Sequence, residues 1–392
     1  MAKIIIPDSS DFPKSADVVV IGGGIVGVAT AFYTSRAGLD TVLLEMRDGL
    51  GTLSTAASAE TFRALFDEPE VVAMMKTSIE VFENFAAVVG LPHCDIGMHQ
   101  QGYLFVSDEP DAPQSLRTRA EHKQSIGLED VEFLTGDEAR RYFPFISSRA
   151  TAAIYRARDG WLSAHEATYG FARGSEALFL LHTKATGLEL DGGGVCGVQT
   201  ERGTVETRAV VVAAGPFSGQ VAGWAGVELP LDVICLQKVV VGPHPLIPQS
   251  GPVAVDWVTG SYWRPEVGGA LLGWADPYTP NVEPSENVLA DWRFPAIVLK
   301  MVSKSSPFWK EIAADLKQNH LFTSAGQVAY TLDAKPILGP VPGVGGLFLN
   351  AGHSFGVMAS PVAGRYVAEM ITGQMSVEDN PFNYERFAEW IA

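Results

Sequence analysis

Gly22, Gly24 and Gly27 stand in GxGxxG spacing directly after four apolar residues, Val18 to Ile21. A helix-like run opening at Ile25 and Val26 ends near Gly38, and a second apolar run, Thr41 to Leu44, stops at an acid, Glu45. Residues of these types in this order can bind a dinucleotide. Gly22 permits a tight turn, Gly24 lets backbone approach a pyrophosphate, and Gly27 lets helix and strand pack closely. The helix start offers free N–H groups and partial positive charge to the phosphates. Glu45 is placed to accept hydrogen bonds from a ribose diol. GxGxxG alone is weak evidence; strand, glycines, helix, strand and acid in register make a much stronger signal. At this point both NAD and FAD remain open.

Bulk properties narrow the classes. The 392-residue chain is long enough for two domains with substantial cores. A formal charge of −17 offers no basic surplus for nucleic acid, although local arginines can still hold an anionic substrate. Cys94, Cys196 and Cys235 are far apart and odd in number, which fits neither a disulfide framework nor a zinc site and points to thiols in a reducing cytoplasm. The first sixteen residues do not read as a signal peptide, and no apolar run reaches membrane-spanning length. The expectation is a cytoplasmic enzyme with no nucleic acid, membrane or metal partner.

Behind the chemistry stand the elements that must position it. The loop MRDGLGTLSTAASAE after Glu45 is rich in small residues and suited to running beside a cofactor, with Ser54, Thr55 and Ser58 as contacts. A helix is expected from Val71 to Val89, a strand at GYLFVS, another helix at GDEARRYF, and a further helix from His165. Then come a strand containing Ala185, a hairpin, and a buried strand ending at Ala214-Gly215. Residues 230–322 alternate like an antiparallel sheet. The segment GGLFLNAGHSFGVMASPVAG reads as strand, glycine turn and helix, repeating the N-terminal logic. The expected architecture mixes α/β and α+β: a discontinuous Rossmann-like dinucleotide-binding domain at 1–90, 150–228 and 323–392, interleaved with an antiparallel-sheet substrate domain at 91–149 and 229–322.

FAD follows from the whole chain, which resembles the D-amino-acid oxidase superfamily. The resemblance rests on GGGIVG with Glu45, LSTAASAETFRALF, VVVAAG, YTLDAKPILG at Tyr330 to Gly339, and NAGHSFGVMASPVAG at Asn350 to Gly364. Within it, the chain is similar to the sarcosine oxidase, dimethylglycine dehydrogenase, glycine oxidase and proline dehydrogenase cluster. The resemblance implies oxidation of an amine C–N bond by hydride transfer to flavin N5, with water hydrolysing the imine. Electrons then pass to O2 or another acceptor. Oxidation of a 2-hydroxy acid, or service as the flavin subunit of a multi-component amino-acid dehydrogenase, stay open as alternatives. No CxxC cluster is present for an iron–sulfur centre of the chain's own.

Arg63 falls where the cluster carries a loop arginine and is the expected fork for a substrate carboxylate. The N–H groups of Gly356, Val357 and Met358 are expected to face the flavin N1–C2=O edge, with Gly352 in the preceding turn. His353 either faces the flavin or is a satisfied packing residue. Tyr262 is expected to line the active site. Arg264 is a second substrate candidate, though a sheet-face role suits it better, and Trp257 and Trp274 are more simply core than pocket wall. Departures from the relatives matter too. Val328 stands where monomeric sarcosine oxidases carry the FAD-linking cysteine, and the small-residue loop has no histidine, so FAD is expected to be bound non-covalently. Met358 replaces a carboxylate-holding lysine, and Leu271 stands near the position of a lysine that promotes reaction with oxygen. Fewer cations imply a larger, N-substituted amino acid.

Overall fold

The computed structural model describes residues 3–8 and 12–388. Val18–Ile21 is entirely buried and forms the middle of a seven-stranded sheet. The order across that sheet is 3–5, 178–180, 41–44, 18–21, 210–212, 347–351 and 337–340. Every pairing is parallel except the last, where Ile337–Pro340 runs against Leu347–Ala351. Continuous apolar runs such as VVVI and TVLL suit strands covered on both faces. The cofactor-type pieces at the start, middle and end of the sequence therefore meet in one sheet.

A second, eight-stranded sheet runs 321–331, 231–241, 269–274, 262–266, 253–256, 103–107, 152–156 and 132–135. All its pairings are antiparallel except that between Val253–Asp256 and Tyr103–Ser107. It contains Ala152–Arg156, paired with Tyr103–Ser107, and Leu321–Thr331, paired along Leu231–Val241. Both segments fall largely within pieces the sequence assigned to cofactor binding, because sheet membership is decided by long-range pairing that local alternation does not encode. The result is a mixed α/β fold with several sheets.

Two helices carry their N-termini to the carboxyl ends of the parallel strands: Ile25–Arg36 after Val18–Ile21, and Gly356–Ile371 after Leu347–Ala351. They pack on one another through Gly364. A Cβ on Gly364 would stand 2.8 Å from the Ala29 carbonyl carbon and the Thr30 nitrogen, so only glycine allows this approach. Neither neighbour can yield, because both are helix backbone. Gly364→Ala is therefore expected to lower stability by about 1–3 kcal/mol and to weaken FAD binding, read by urea unfolding of the apoprotein and by flavin titration. Unchanged values of both would show that the interhelix spacing is slack.

Candidate active site

The turn after Val18–Ile21 is built on glycines for separable reasons. Gly22 has φ +117°, and a Cβ there would collide with the Ala213 carbonyl oxygen. A Cβ on Gly27 would collide with the Gly22 carbonyl oxygen, so helix and turn touch backbone to backbone. Gly24 is the N-cap and leaves open the space in front of the helix. Thr55 Oγ1 accepts from the Ile25 N–H at 3.1 Å. No acidic residue lies in the first turn of this helix or of Gly356–Ile371, and neither N-cap residue, Gly24 or Phe355, caps its helix with its own side chain. Both helix starts therefore present N–H groups and positive partial charge to the same space.

Gly23, which the GxGxxG reading passed over, has a role of its own. Its N–H donates to Glu45 Oε2 at 2.6 Å, while the Arg47 N–H donates to Oε1 at 2.8 Å. A Cβ on Gly23 would stand 2.6 Å from that same Oε2. Burial raises the Glu45 pKa, and the two backbone N–H groups oppose the rise only in part. The carboxylate is thus held in one orientation, with lone pairs left for a diol.

One continuous cavity connects these groups. It runs from Glu45 and Lys184 past Gly22, Gly24, Ile25, Val26, Ala185, Ala214 and Gly215 to the turn at Gly352 and the helix start at Gly356, Val357 and Met358. Ser54, Thr55 and Ser58 form one wall. Ser54 Oγ donates to the Gln327 carbonyl at 2.6 Å, which ties the loop to the eight-stranded sheet, and Ser58 Oγ donates to the Thr55 carbonyl at 2.7 Å within the loop. Glycine cradle, helix starts free of acids and buried acid together fit an elongated dinucleotide. Gly27 alone among the expected cofactor residues does not face the cavity, since it serves the packing behind it.

At the far end stand Tyr103, Tyr262, Thr61, Lys238, Val328 and Ala329. Burial pushes both tyrosine hydroxyls up, Tyr262 furthest, so they stay protonated. His353 lines the cavity, with Nε2 at 2.7 Å from Asn350 Oδ1. Asn350 Nδ2 donates to Thr30 Oγ1, which donates to the Val26 carbonyl. That chain makes Nε2 the donor and leaves Nδ1 a lone pair, sealed from solvent and without a partner among the described residues. Desolvation lowers the pKa to about 3, so the ring is neutral.

The two arginines separate clearly. Arg264 is 1% exposed, and its guanidinium donates to the Ala59 and Pro265 carbonyls, to Glu60 at 3.1 Å and to Glu266. Its donors are spent on structure, and it does not reach the cavity, so the substrate-binding expectation for Arg264 is corrected. Arg63 does not line the cavity either. It donates to the Leu65 carbonyl, stacks 4.0 Å from the Phe66 ring centroid, and stands 5.8 Å from that of Tyr103. Most of its donors have no partner among the described residues. Trp257 packs edge-on against Phe105, and Trp274 donates to the Thr259 carbonyl; both lie outside the cavity.

Lys238 was missed because KVVVG reads as an ordinary alternating strand. The only available signal was a lysine in an otherwise buried run. Its Nζ donates to the Ala56 and Ser58 carbonyls at 2.8 and 2.6 Å. Val328 does line the cavity, whereas Leu271 is buried and faces a neighbouring space. The three cysteines are unpaired, no group of metal-ligating residues occurs among the described residues, and no helix there is long and apolar enough to cross a membrane.

Residues 17–370 match the family described as FAD dependent oxidoreductase. The chain belongs to that family. It is an FAD-dependent oxidoreductase, and the glycine turn, the two helix starts and the buried acid of this cavity fit FAD. The sarcosine oxidase subunit beta of Arthrobacter sp is 27% identical over 391 residues, 95% of this chain and 91% of the relative. The mitochondrial dimethylglycine dehydrogenase of Rattus norvegicus is 22% identical across 98% of this chain but only 46% of its own length, so the enzyme spans about half of that relative. Among solved structures, the L-proline dehydrogenase of P. horikoshii has TM-score 0.83 and 26% identity, covering 96% of this chain and 99% of the other. Glycine oxidase from Bacillus cereus shares the fold with TM-score 0.79 at 23% identity, covering 92% and 96%.

Two predictions follow from this geometry. Gly23→Ala should displace the Glu45 carboxylate and weaken FAD binding about tenfold or more in a fluorescence titration; equal affinity would remove Glu45 from the ribose site. His353 has a pKa far below its unfolded value, so its contribution to apoprotein stability is present above about 6.5 and is lost as pH falls from there towards about 3. The urea midpoint of the apoprotein should drop across that window, and His353→Gln should flatten the drop. A parallel fall in both proteins would show that other groups dominate.

Proposed function

We propose that this enzyme oxidises the C–N bond of a secondary amine or N-substituted amino acid, forming an imine that water hydrolyses. FAD, held non-covalently, supplies the hydride acceptor at its N5. Among the described residues, the lining of the cavity contains no cysteine, and its histidine is tied to Asn350, which supports the non-covalent reading.

The observation that carries the proposal is that, among the described residues, no exposed and unpaired base stands at the substrate end, where the Lys238 ammonium is held by the Ala56 and Ser58 carbonyls. Tyr103 and Tyr262 keep their protons, His353 is neutral with Nδ1 sealed, and Glu60 is ion-paired to Arg264. Such a site offers no free base to take a hydroxyl proton, which disfavours a 2-hydroxy acid. A neutral amine carries its own lone pair and needs only orientation and exclusion of water. The tyrosine rings provide both. Arg63, behind Tyr103 and with donors to spare, is the proposed carboxylate fork, reached when its guanidinium turns from the Leu65 carbonyl towards the cavity. The cationic positions absent at Val328 and Met358 leave apolar room for an N-substituent.

A second reading, that the chain is the flavin subunit of a larger dehydrogenase, is supported by its likeness to a protein named sarcosine oxidase subunit beta. The mass of the enzyme isolated from its native source separates the two.

Anaerobic stopped-flow bleaching is expected to be faster with N-alkyl amino acids than with glycine, and absent with 2-hydroxy acids; bleaching led by hydroxy acids would overturn the amine reading. Arg63→Ala should keep its FAD while the substrate dissociation constant rises about tenfold to a hundredfold. Unchanged substrate binding in that variant would make Arg63 a support for Tyr103 only. Acid precipitation should release the flavin into the supernatant.

A further inference from the structure

Three neighbouring strands of the eight-stranded sheet, Leu231–Val241, Gly269–Trp274 and Tyr262–Glu266, bring Lys238, Gly273 and Tyr262 into one row. Lys238 pairs with Gly273 and Gly273 with Tyr262, and paired residues project from the same face of a sheet. Lys238 and Tyr262 both line the cavity, so this face forms part of its wall. Gly273 stands between them yet does not line the cavity, because the Tyr262 ring lies over it. A Cβ on Gly273 would collide with the Tyr262 hydroxyl oxygen and Cζ and would stand 2.8 Å from Cε1.

The backbone does not call for glycine at this position. Gly273 lies outside the left-handed region and is paired in register with both neighbouring strands. A glycine inside a strand weakens it and often marks the close approach of another group. Here the approaching group is the phenol ring. Nothing else fastens that ring. The Tyr262 hydroxyl has no hydrogen-bond partner among the described residues, and its oxygen is not sealed from the cavity. Packing alone therefore fixes the ring, and the recess over Gly273 is where it packs. A side chain at 273 would lift the ring off the sheet into the space it lines, at the end that also carries Val328 and Ala329. The colliding atoms are the far end of a side chain, so the strand itself need not move.

We propose that Gly273 sets the size of substrate this enzyme accepts: its recess lets the Tyr262 ring lie flat and leaves room for an N-substituent bulkier than methyl. The inference rests on the reading that an N-substituted amino acid is oxidised at this end of the cavity. Gly273 is a positioning residue, since it acts through Tyr262 and touches no substrate itself. Discrimination of this kind depends on shape alone, and one methylene in an apolar pocket changes specificity about 10- to 200-fold.

The test compares native holoenzyme with Gly273→Ala, Tyr262→Ala and the double variant, using N-methylglycine, N-ethylglycine and N-benzylglycine. The concentration dependence of anaerobic flavin bleaching gives an apparent dissociation constant for each. Gly273→Ala should keep its FAD, and its constant for N-benzylglycine should rise about tenfold or more relative to that for N-methylglycine. The double variant should regain at least the native ratio, because the displaced ring is gone. A general structural defect would instead weaken all three substrates alike or release FAD, and removal of the ring would not reverse it; either result overturns the proposal, as does an unchanged ratio in Gly273→Ala. If Gly273→Ala does not fold, Tyr262→Ala decides: its ratio should shift towards N-benzylglycine, and a native ratio would show that the ring does not bound the site. A crystal structure of Gly273→Ala holoenzyme reads the ring directly, and a ring left in its native place overturns the proposal. That measurement also separates this proposal from the amine reading. If no N-alkylglycine bleaches the native flavin, the amine reading fails, while the ring position still shows whether Gly273 sets the width of the space.

Discussion

Backbone-to-backbone contact along one helix is the constraint on which the rest of the site depends. Ile25–Arg36 touches the preceding turn through Gly27 and the C-terminal helix through Gly364 lying on Ala29 and Thr30. A side chain at either point would push the helix outward. The consequence is long-range, because the start of this helix and the start of Gly356–Ile371 both open onto the cavity. Their mutual packing sets the distance between two charge-bearing helix starts. FAD has a fixed length, so a site for it depends on that spacing as much as on any side chain.

The electrostatics follow from this arrangement. The chain carries a net −17, yet the cavity concentrates positive potential without relying on free cations. Two helix starts supply it, and no acid lies in either first turn. The acids that do line the cavity are committed. Glu45 is held by Gly23 and Arg47, Glu60 pairs with Arg264, and Glu286 lies 3.8 Å from both Arg47 and Lys184. Negative charge elsewhere on the protein therefore does little against the cofactor phosphates, since its effect is screened over about 8–10 Å at physiological salt.

The parts of the site legible in the sequence are those where local sequence dictates the backbone path. The glycine turn, Glu45 at the end of its strand, the small-residue loop and Gly352 to Met358 all fall on the cavity because turn, strand and helix start are local matters. Gly23 escaped because its role is set by the side chain of Glu45, which arrives from the next strand. The fate of the arginines could not be read locally either. Arg63 and Arg264 are the same residue type near the same loop, but Glu60 and Glu266 converge on only one of them. Ala152–Arg156 and Leu321–Thr331 likewise alternate as strands in any sheet; only their partners reveal which sheet they join.

The missing cations are where sequence comparison and structure diverge most. Position by position, Val328, Met358 and Leu271 suggest a site emptied of positive charge. In the folded sheet, Leu271 pairs with Val240, and Lys238 pairs with Gly273 on the same two strands. Paired residues share a face, as do residues two apart along a strand, so Lys238 projects from the face that carries Leu271. A cation is therefore present near the place where its absence was inferred, delivered from the neighbouring strand. It is not a free anchor, because the Ala56 and Ser58 carbonyls already hold it against the end of Ser54–Ala57. A lysine fixed in this way is a tie between the sheet and the small-residue loop, and not a mobile partner for a carboxylate.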